Sequence, residues 1–146
     1  MGLEALSNGF KHVRFVENNQ GALKVLRSNV KSVENSWNKA EPNEPIDLEV
    51  INCDAFKLIS KLNNARIVWS DPPYHAVEAK LPLLADNIGR YLLSDGLWCL
   101  ECAKADHQTV IDYIEAHHPQ YELIKQKSYG DSAIIMWTID HSQGTI

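Results

Sequence analysis

The stretch Ala65-Arg66-Ile67-Val68-Trp69-Ser70-Asp71-Pro72-Pro73-Tyr74 decides how the chain is read. Ala65 to Trp69 is a nearly continuous apolar run of the kind buried on both faces of a parallel sheet, and is expected to be a strand. It leads directly into two consecutive prolines, which fix φ, carry no N–H donor and hold Asp71 away from the helical region. A stiff corner at the end of a strand then offers the Asp71 carboxylate and the Pro72 carbonyl as two fixed acceptors, with the Tyr74 ring beside them. Such a surface suits a planar base bearing an NH₂ group. The amine donates to both acceptors, the ring stacks on the base, and the nitrogen lone pair is turned from the heterocycle toward an electrophile. A rigid strand-to-helix connection with no chemistry is the alternative for the same residues.

Working outward, Leu3 to Asn8 has the pattern of the tail of an amphipathic helix, stopped at Asn8-Gly9. Val13 to Glu17 is an alternating strand, and Gln20 to Ser32 a helix with Ala22, Val25, Leu26 and Val30 on one face. Asn35 to Pro45, with two prolines and several charges, reads as a loop. Leu48 to Ile51 is a strand ending in Asn52-Cys53-Asp54, and Ala55 to Leu62 a short helix. Beyond the proline corner, Leu81 to Leu93 reads as a helix stopped by Ser94-Asp95-Gly96, Leu97 to Cys102 as a strand, and Asp106 to His117 as a helix ended by Pro119. Tyr121 to Gln126 and Ala133 to Ile139 form a closing hairpin. This order predicts an α/β fold, with a mostly parallel sheet and an antiparallel C-terminal hairpin.

The chain has 146 residues, 45% hydrophobic and 23% charged, a composition that fits one globular domain and excludes collagen-like and disordered classes. Its longest apolar run, Ala133 to Trp137, is far short of the roughly 20 residues of a membrane span. The opening residues lack the cationic stretch and apolar core of a secretory signal, so a cytoplasmic location is expected. Fourteen basic against nineteen acidic side chains give a net charge of -5, which argues against a large, sequence-indifferent grip on nucleic-acid phosphates. Lys11, Lys24, Arg27, Lys31 and Lys39 gather in the first third, as a local RNA-facing set or as a solvated helix surface. Three cysteines make no disulfide framework, and Cys99-x-x-Cys102 lies inside an apolar strand, where packing is the expected role. Of six histidines, His12, His107 and His141 stand apart; His75, directly after the proline motif, is placed to touch substrate or its phosphate but more readily reads as an exposed loop residue. His117-His118 close a helix, where a cationic imidazole suits the dipole. Trp37, Trp69, Trp98 and Trp137 read as packing residues.

In open α/β sheets the ligand lies outside the carboxyl ends of the strands. Glu17, Asp54 and Asp71 each follow an apolar strand there. An acid in that place can bind a nucleoside ribose or base. Each also suits a helix N-cap or first turn.

Ser70-Asp71-Pro72-Pro73-Tyr74 resembles the (Asp/Asn/Ser)-Pro-Pro-(Tyr/Phe) motif of S-adenosylmethionine-dependent amino-methyltransferases that act on exocyclic nitrogens of nucleobases. The opening Gly2-Leu3-Glu4-Ala5-Leu6-Ser7-Asn8-Gly9, followed by Val13-Arg14-Phe15-Val16-Glu17, is similar to the RsmD-type 16S rRNA guanine-N2 methyltransferases. There a Gly-Leu-Glu-Ala-Leu-Ser-Arg-Gly helix leads to a strand ending in Val-Glu. The resemblance covers essentially the whole chain. It implies one domain over residues 1–146 with the Rossmann-like methyltransferase fold, S-adenosyl-L-methionine as cofactor, no metal, and 16S rRNA or the small ribosomal subunit as partner. By the same resemblance Glu17 binds the cofactor's ribose hydroxyls with Asn18 close behind, Asp54 takes the adenine amino group, and the Ala55 amide faces the adenine ring. Asp71 and the Pro72 carbonyl hold the guanine amine, Pro73 keeps the corner rigid and Tyr74 stacks on the base.

The chain departs from the family pattern at its start. In the family the helix corresponding to Gly2 onward follows a first strand and a Phe-Ala-Gly-Ser-Gly loop that touches the cofactor's methionine part. Neither is in this sequence, nor is the upstream basic segment with its Arg-Pro-Thr element. The missing strand lies between the strands ending at Glu17 and Asp71, so two unpaired interior edges are expected. An internal methionine of a longer protein is the favoured account of Met1; a gap filled by another segment and an inactive relative are the others. The rival functions are amino-methylation of another base, such as adenine N6 in DNA or RNA, and a non-catalytic α/β binding module.

Overall fold

The computed structural model describes residues 1–57, 62, 64–140 and 142. The chain divides into two compact units, Met1–Lys57 and Leu58–Ile146.

The first unit holds α1 (Gly2–Ser7), β1 (His12–Glu17), α2 (Gln20–Ala40) and β2 (Asp47–Asn52). Helix α1 closes as its sequence implies: the Asn8 and Gly9 amides donate to the Ala5 and Leu6 carbonyls at 3.1 and 3.0 Å. Gly9 takes φ +90°, open to glycine at little cost. Strands β1 and β2 pair in parallel from His12↔Asp47 to Glu17↔Asn52, so their carboxyl ends lie level. Helix α2 starts at Asn19, whose side chain accepts from the Ala22 amide at 3.0 Å as an N-cap. Leu23 and Val30 are buried, and half-buried Leu26, Val33 and Trp37 continue the stripe. That continuation carries the helix to Ala40, well past the expected end at Ser32, and confines the loop expected from Asn35 to residues 41–46. Pro42 is the stop, since the residue before a proline is disfavoured in helical geometry. The Trp37 indole N–H donates to the Glu44 carbonyl at 2.6 Å and ties this loop back to the helix. Of the short helix expected over Ala55 to Leu62, residues 55–57 form a turn and residues 58–61 lie outside the described residues.

The second unit holds β3 (Ala65–Ser70), α3 (Tyr74–Tyr91), β4 (Leu92–Ala103), α4 (His107–His117), β5 (Tyr121–Tyr129) and β6 (Ser132–Ile139). The strand order is β3-β4-β6-β5, with β3 and β4 parallel and the other two pairings antiparallel. The α/β class and the closing hairpin are as read from the sequence. The sheet is mixed, with β6 inside and β5 at the edge.

Its core is built on cross-strand pairs. Trp98, Leu100 and Cys102 face Trp137, Ile135 and Ala133 across β4 and β6, and none is more than 1% exposed. The Trp98 and Trp137 rings lie 4.8 Å apart, and Tyr121 packs on Trp98 at 5.2 Å. The Tyr121 hydroxyl donates to the Ala85 carbonyl at 2.7 Å, which fixes α3 on the Trp98 face. Val77, Leu81, Leu84, Ala85 and Ile88 form the buried stripe of α3, and Val110, Ile111 and Ile114 that of α4.

Three elements differ from their sequence reading. Helix α3 begins at Tyr74 rather than Leu81 and contains Pro82. Proline removes one helical hydrogen bond there, while the apolar stripe runs on both sides of it. The helix ends at Tyr91, and Ser94-Asp95-Gly96 is an irregularity within β4. Ala65 pairs with Leu92 but Ile67 with Leu97, and Asp95 has φ +65°. Strand β3 is not buried on both faces: none of its residues is buried, and Ile67 is 43% exposed. Among the described residues β3 pairs with β4 alone, and β1 with β2 alone.

The irregularity in β4 makes Gly96 critical. A Cβ there would lie 2.6 Å from Leu92 Cγ and 2.7 Å from the Leu93 carbonyl oxygen, a backbone atom that cannot step aside. Gly96→Ala is expected to destabilise the protein by about 1–3 kcal/mol, read as a lowered midpoint in urea unfolding. An unchanged midpoint would mean that the segment around Gly96 yields freely.

Candidate functional site

In the first unit, the level strand ends bring two of the selected acids to one edge. The Cys53 amide donates to the Glu17 carbonyl at 3.1 Å, extending the register so that Asp54 emerges beside the end of β1. Glu17 Oε1 accepts from the Asn18 and Asn19 amides, both at 2.8 Å, and Asp54 Oδ1 accepts from the Phe56 amide at 3.0 Å. Each carboxylate is therefore oriented by backbone N–H groups through one oxygen, while the other remains as an acceptor. Neither acid is a helix N-cap: Asn19 caps α2, and Asp54 precedes a turn over residues 55–57, so both accept from backbone amides just after their strands. Asn18 and Ala55 are exposed on the turns that follow β1 and β2.

In the second unit the proline corner faces outward. Asp71 and Pro73 are exposed, Pro72 is half-buried and the Tyr74 residue is 39% exposed. Pro73 caps α3, and its carbonyl accepts from the Ala76 amide at 2.8 Å. The parallel register Ser70↔Leu100 sets Asp71 level with Glu101 at the neighbouring strand end. The Asp71 carboxyl is raised above the usual carboxylate range, first by partial withdrawal from water and second by the negative charge of Glu101. The Tyr74 hydroxyl donates to Glu101 Oε1 at 3.3 Å and lies 2.5 Å from Ser132 Oγ. Asp71, Pro72, Pro73 and Tyr74 thus come together with two residues not singled out from the sequence. Glu101 was within reach, being a polar residue at the end of a strand, but the apolar frame of Leu97 to Cys102 concealed it. Ser132 depends on hairpin register and had no sequence signal.

The remaining chemistry-bearing groups have structural surroundings. Cys99 and Cys102 are buried free thiols. Burial pushes both up, Cys102 to about 11 with Asp106 and Glu101 adding to it, so neither is a ready thiolate. No group of residues able to hold a metal occurs among the described residues, and no described helix is long and apolar enough to cross a membrane. His118 corrects the sequence expectation of a cationic imidazole. It is buried, and desolvation lowers its pKa although Asp86 Oδ1, 3.7 Å away, pulls the other way. His117 stacks on Tyr113, with ring centroids 4.4 Å apart. His141 lies outside the described residues. Lys11 pairs with Glu44, whereas Lys24, Arg27, Lys31 and Lys39 are exposed on α2.

Two pH responses follow from these environments. Because Asp71 titrates above its unfolded value, its contribution to stability is present below that value and is lost as pH rises through the folded one. In carboxyl-carbon NMR, Glu101→Gln is expected to lower the Asp71 titration midpoint, and an unmoved midpoint would uncouple the two acids. His118 has the opposite sign. Its folded pKa lies below the ordinary 6.5, so stability is lost as pH falls from about that value through the lowered one. Thermal unfolding between pH 7 and 5 should show this loss in the wild type and a shallower one in His118→Gln.

No curated protein matches the chain. In solved structures it is similar to HI0767 of Haemophilus influenzae, assigned as a methylase, with 24% identity over 94% of this chain and 78% of that one and a TM-score of 0.67. N-methyltransferase NodS of Bradyrhizobium japonicum, solved with S-adenosyl-L-homocysteine, matches 94% of this chain and 71% of its own at 10% identity, with a TM-score of 0.69. An rRNA methylase of Streptococcus thermophilus matches 88% and 74% respectively, at 11% identity and a TM-score of 0.58. These likenesses show the fold, the mixed α/β fold of S-adenosylmethionine-dependent methyltransferases. The model of the family described as conserved hypothetical protein 95 matches residues 1–138. On that match the chain belongs to the conserved hypothetical protein 95 family, the RsmD family of methyltransferases.

Proposed function

We propose that the protein transfers a methyl group from S-adenosyl-L-methionine to the exocyclic N2 amine of a guanine in 16S rRNA, free or in the small ribosomal subunit, in the cytoplasm. The observation that carries this reading is the outward-facing Asp71-Pro72-Pro73-Tyr74 corner, set beside Glu101 at the end of β3. The likeness to an rRNA methylase and the resemblance of the opening octapeptide to guanine-N2 methyltransferases support the choice of substrate.

Asp71 and the Pro72 carbonyl accept the two amine hydrogens, which holds the nitrogen with its lone pair clear of the ring plane. Pro73 keeps the two acceptors in fixed relation, and Tyr74 covers one face of the base. The raised Asp71 carboxyl is a better proton acceptor than an ordinary carboxylate, which suits the loss of an amine proton on methylation. S-adenosyl-L-methionine, when bound, supplies a methyl already activated by its positive sulfur. The residues of the first unit fit this cofactor. Glu17 would present its backbone-oriented carboxylate to the paired ribose hydroxyls, with Asn18 behind it, Asp54 would accept from the adenine amino group, and the Ala55 amide would face the adenine ring. The acceptor pair reads an amine rather than a whole base, so adenine N6 is the rival substrate.

In the protein, Asp71→Ala is expected to reduce methyl transfer by at least about 100-fold. Its affinity for the cofactor should stay close to wild type. Asp54→Ala should weaken cofactor binding about tenfold in calorimetry. Mass spectrometry of nucleosides from undermethylated 16S rRNA should show N2-methylguanosine. Wild-type turnover in Asp71→Ala would remove Asp71 from the reaction, and N6-methyladenosine would change the substrate.

A further inference from the structure

The prolines fix the backbone of the corner, yet they leave the Tyr74 side chain with two unrestrained torsions. Tyr74 is the first residue of α3 and is 39% exposed, so packing alone does not set its ring. Its one polar atom, the hydroxyl, is held from two neighbouring strands. Glu101 stands level with Asp71 through the β3–β4 register. On β6, Ile134 pairs with Glu101 and Ser132 with Ala103, so Ser132 and Glu101 lie on the same face of the sheet. The chemistry gives the contacts a direction. A carboxylate only accepts, so the Tyr74 hydroxyl donates to Glu101 Oε1 at 3.3 Å and accepts from Ser132 Oγ.

We propose that Glu101 and Ser132 are positioning residues that clamp the Tyr74 hydroxyl and so hold its ring as a preset wall beside Asp71. The use of that wall, as the face on which a base stacks, rests on the reading of the corner as an amine-binding site. A ring already ordered before the base arrives avoids losing side-chain freedom at binding. It also fixes the plane of the base, and with it the direction of the amine relative to Asp71 and the Pro72 carbonyl. Phenylalanine would supply the same stacking surface without the anchor. Glu101 consequently acts on both sides of the site, on Asp71 through charge and on Tyr74 through a hydrogen bond.

The two roles separate experimentally in ring-carbon relaxation of tyrosine-labelled protein. The Tyr74 ring should be ordered in the wild type and in Glu101→Gln, which keeps an acceptor, but mobile in Glu101→Ala and in Ser132→Ala. A ring equally ordered in all four overturns the clamp, as does a ring already mobile in the wild type. For methyl transfer to undermethylated 16S rRNA, Tyr74→Phe and Ser132→Ala should each raise the KM for RNA about tenfold, with the KM for S-adenosyl-L-methionine unchanged. The double variant should be no worse than either single one, because both remove the same anchor. Multiplying effects would show that the two residues act independently and would contradict the clamp. A wild-type enzyme that orders the ring yet methylates no RNA overturns the functional reading and leaves the clamp standing.

Discussion

Two successive prolines at the carboxyl end of β3 convert a strand end into a fixed geometric object. Pro72 and Pro73 lock their own φ and restrict the residue before them, so the Asp71 carboxylate and the Pro72 carbonyl keep one relation to each other. The parallel pairing with β4 then brings Glu101 alongside, and the start of α3 brings Tyr74. Every proposed feature of the substrate site depends on this corner being rigid and facing outward. The exposure of Asp71 and Pro73 meets the second condition.

The first unit uses the same device in a softer form. Glu17 and Asp54 follow strands that end level, and backbone amides of the succeeding turns orient their carboxylates. No proline is required there, because backbone N–H groups of the following segment donate to each acid and orient it. One residue therefore ends or follows a strand, is oriented by the amides after it, and keeps an oxygen for a ligand. This economy explains why acids at the carboxyl ends of strands recur as nucleoside-binding groups in α/β folds.

Much of this was legible in the sequence, for identifiable reasons. The alternation in Val13–Glu17, the apolar-rich stretch Ala133–Ile139 and the Asn8-Gly9 stop carry local signals strong enough to place β1, β6 and their neighbours. The Asp71 corner was legible because proline acts on its own and the preceding residue. What depends on distant residues was not legible. Helix α2 runs on to Ala40 because Val33 and Trp37 extend its stripe through a polar segment, and α3 includes Pro82 because burial on both sides outweighs one lost bond. Strand β3 has buried-strand composition, but its burial depends on which strands flank it. His118 shows the same limit: a helix-end histidine reads as solvated until the packing of Tyr121 and Tyr113 around it is known. Glu101 and Ser132 complete the corner through strand register, which no single stretch of sequence encodes.

At the centre of the proposed site, the rigid corner grips an exocyclic amine. The decisive measurement is a structure of the protein with S-adenosyl-L-homocysteine and a guanosine-containing RNA fragment. The guanine N2 should then lie at about 3 Å from both an Asp71 carboxylate oxygen and the Pro72 carbonyl oxygen, with the base against the Tyr74 ring. A base bound elsewhere, or one that meets the corner through a ring nitrogen or carbonyl instead of its amine, would contradict it.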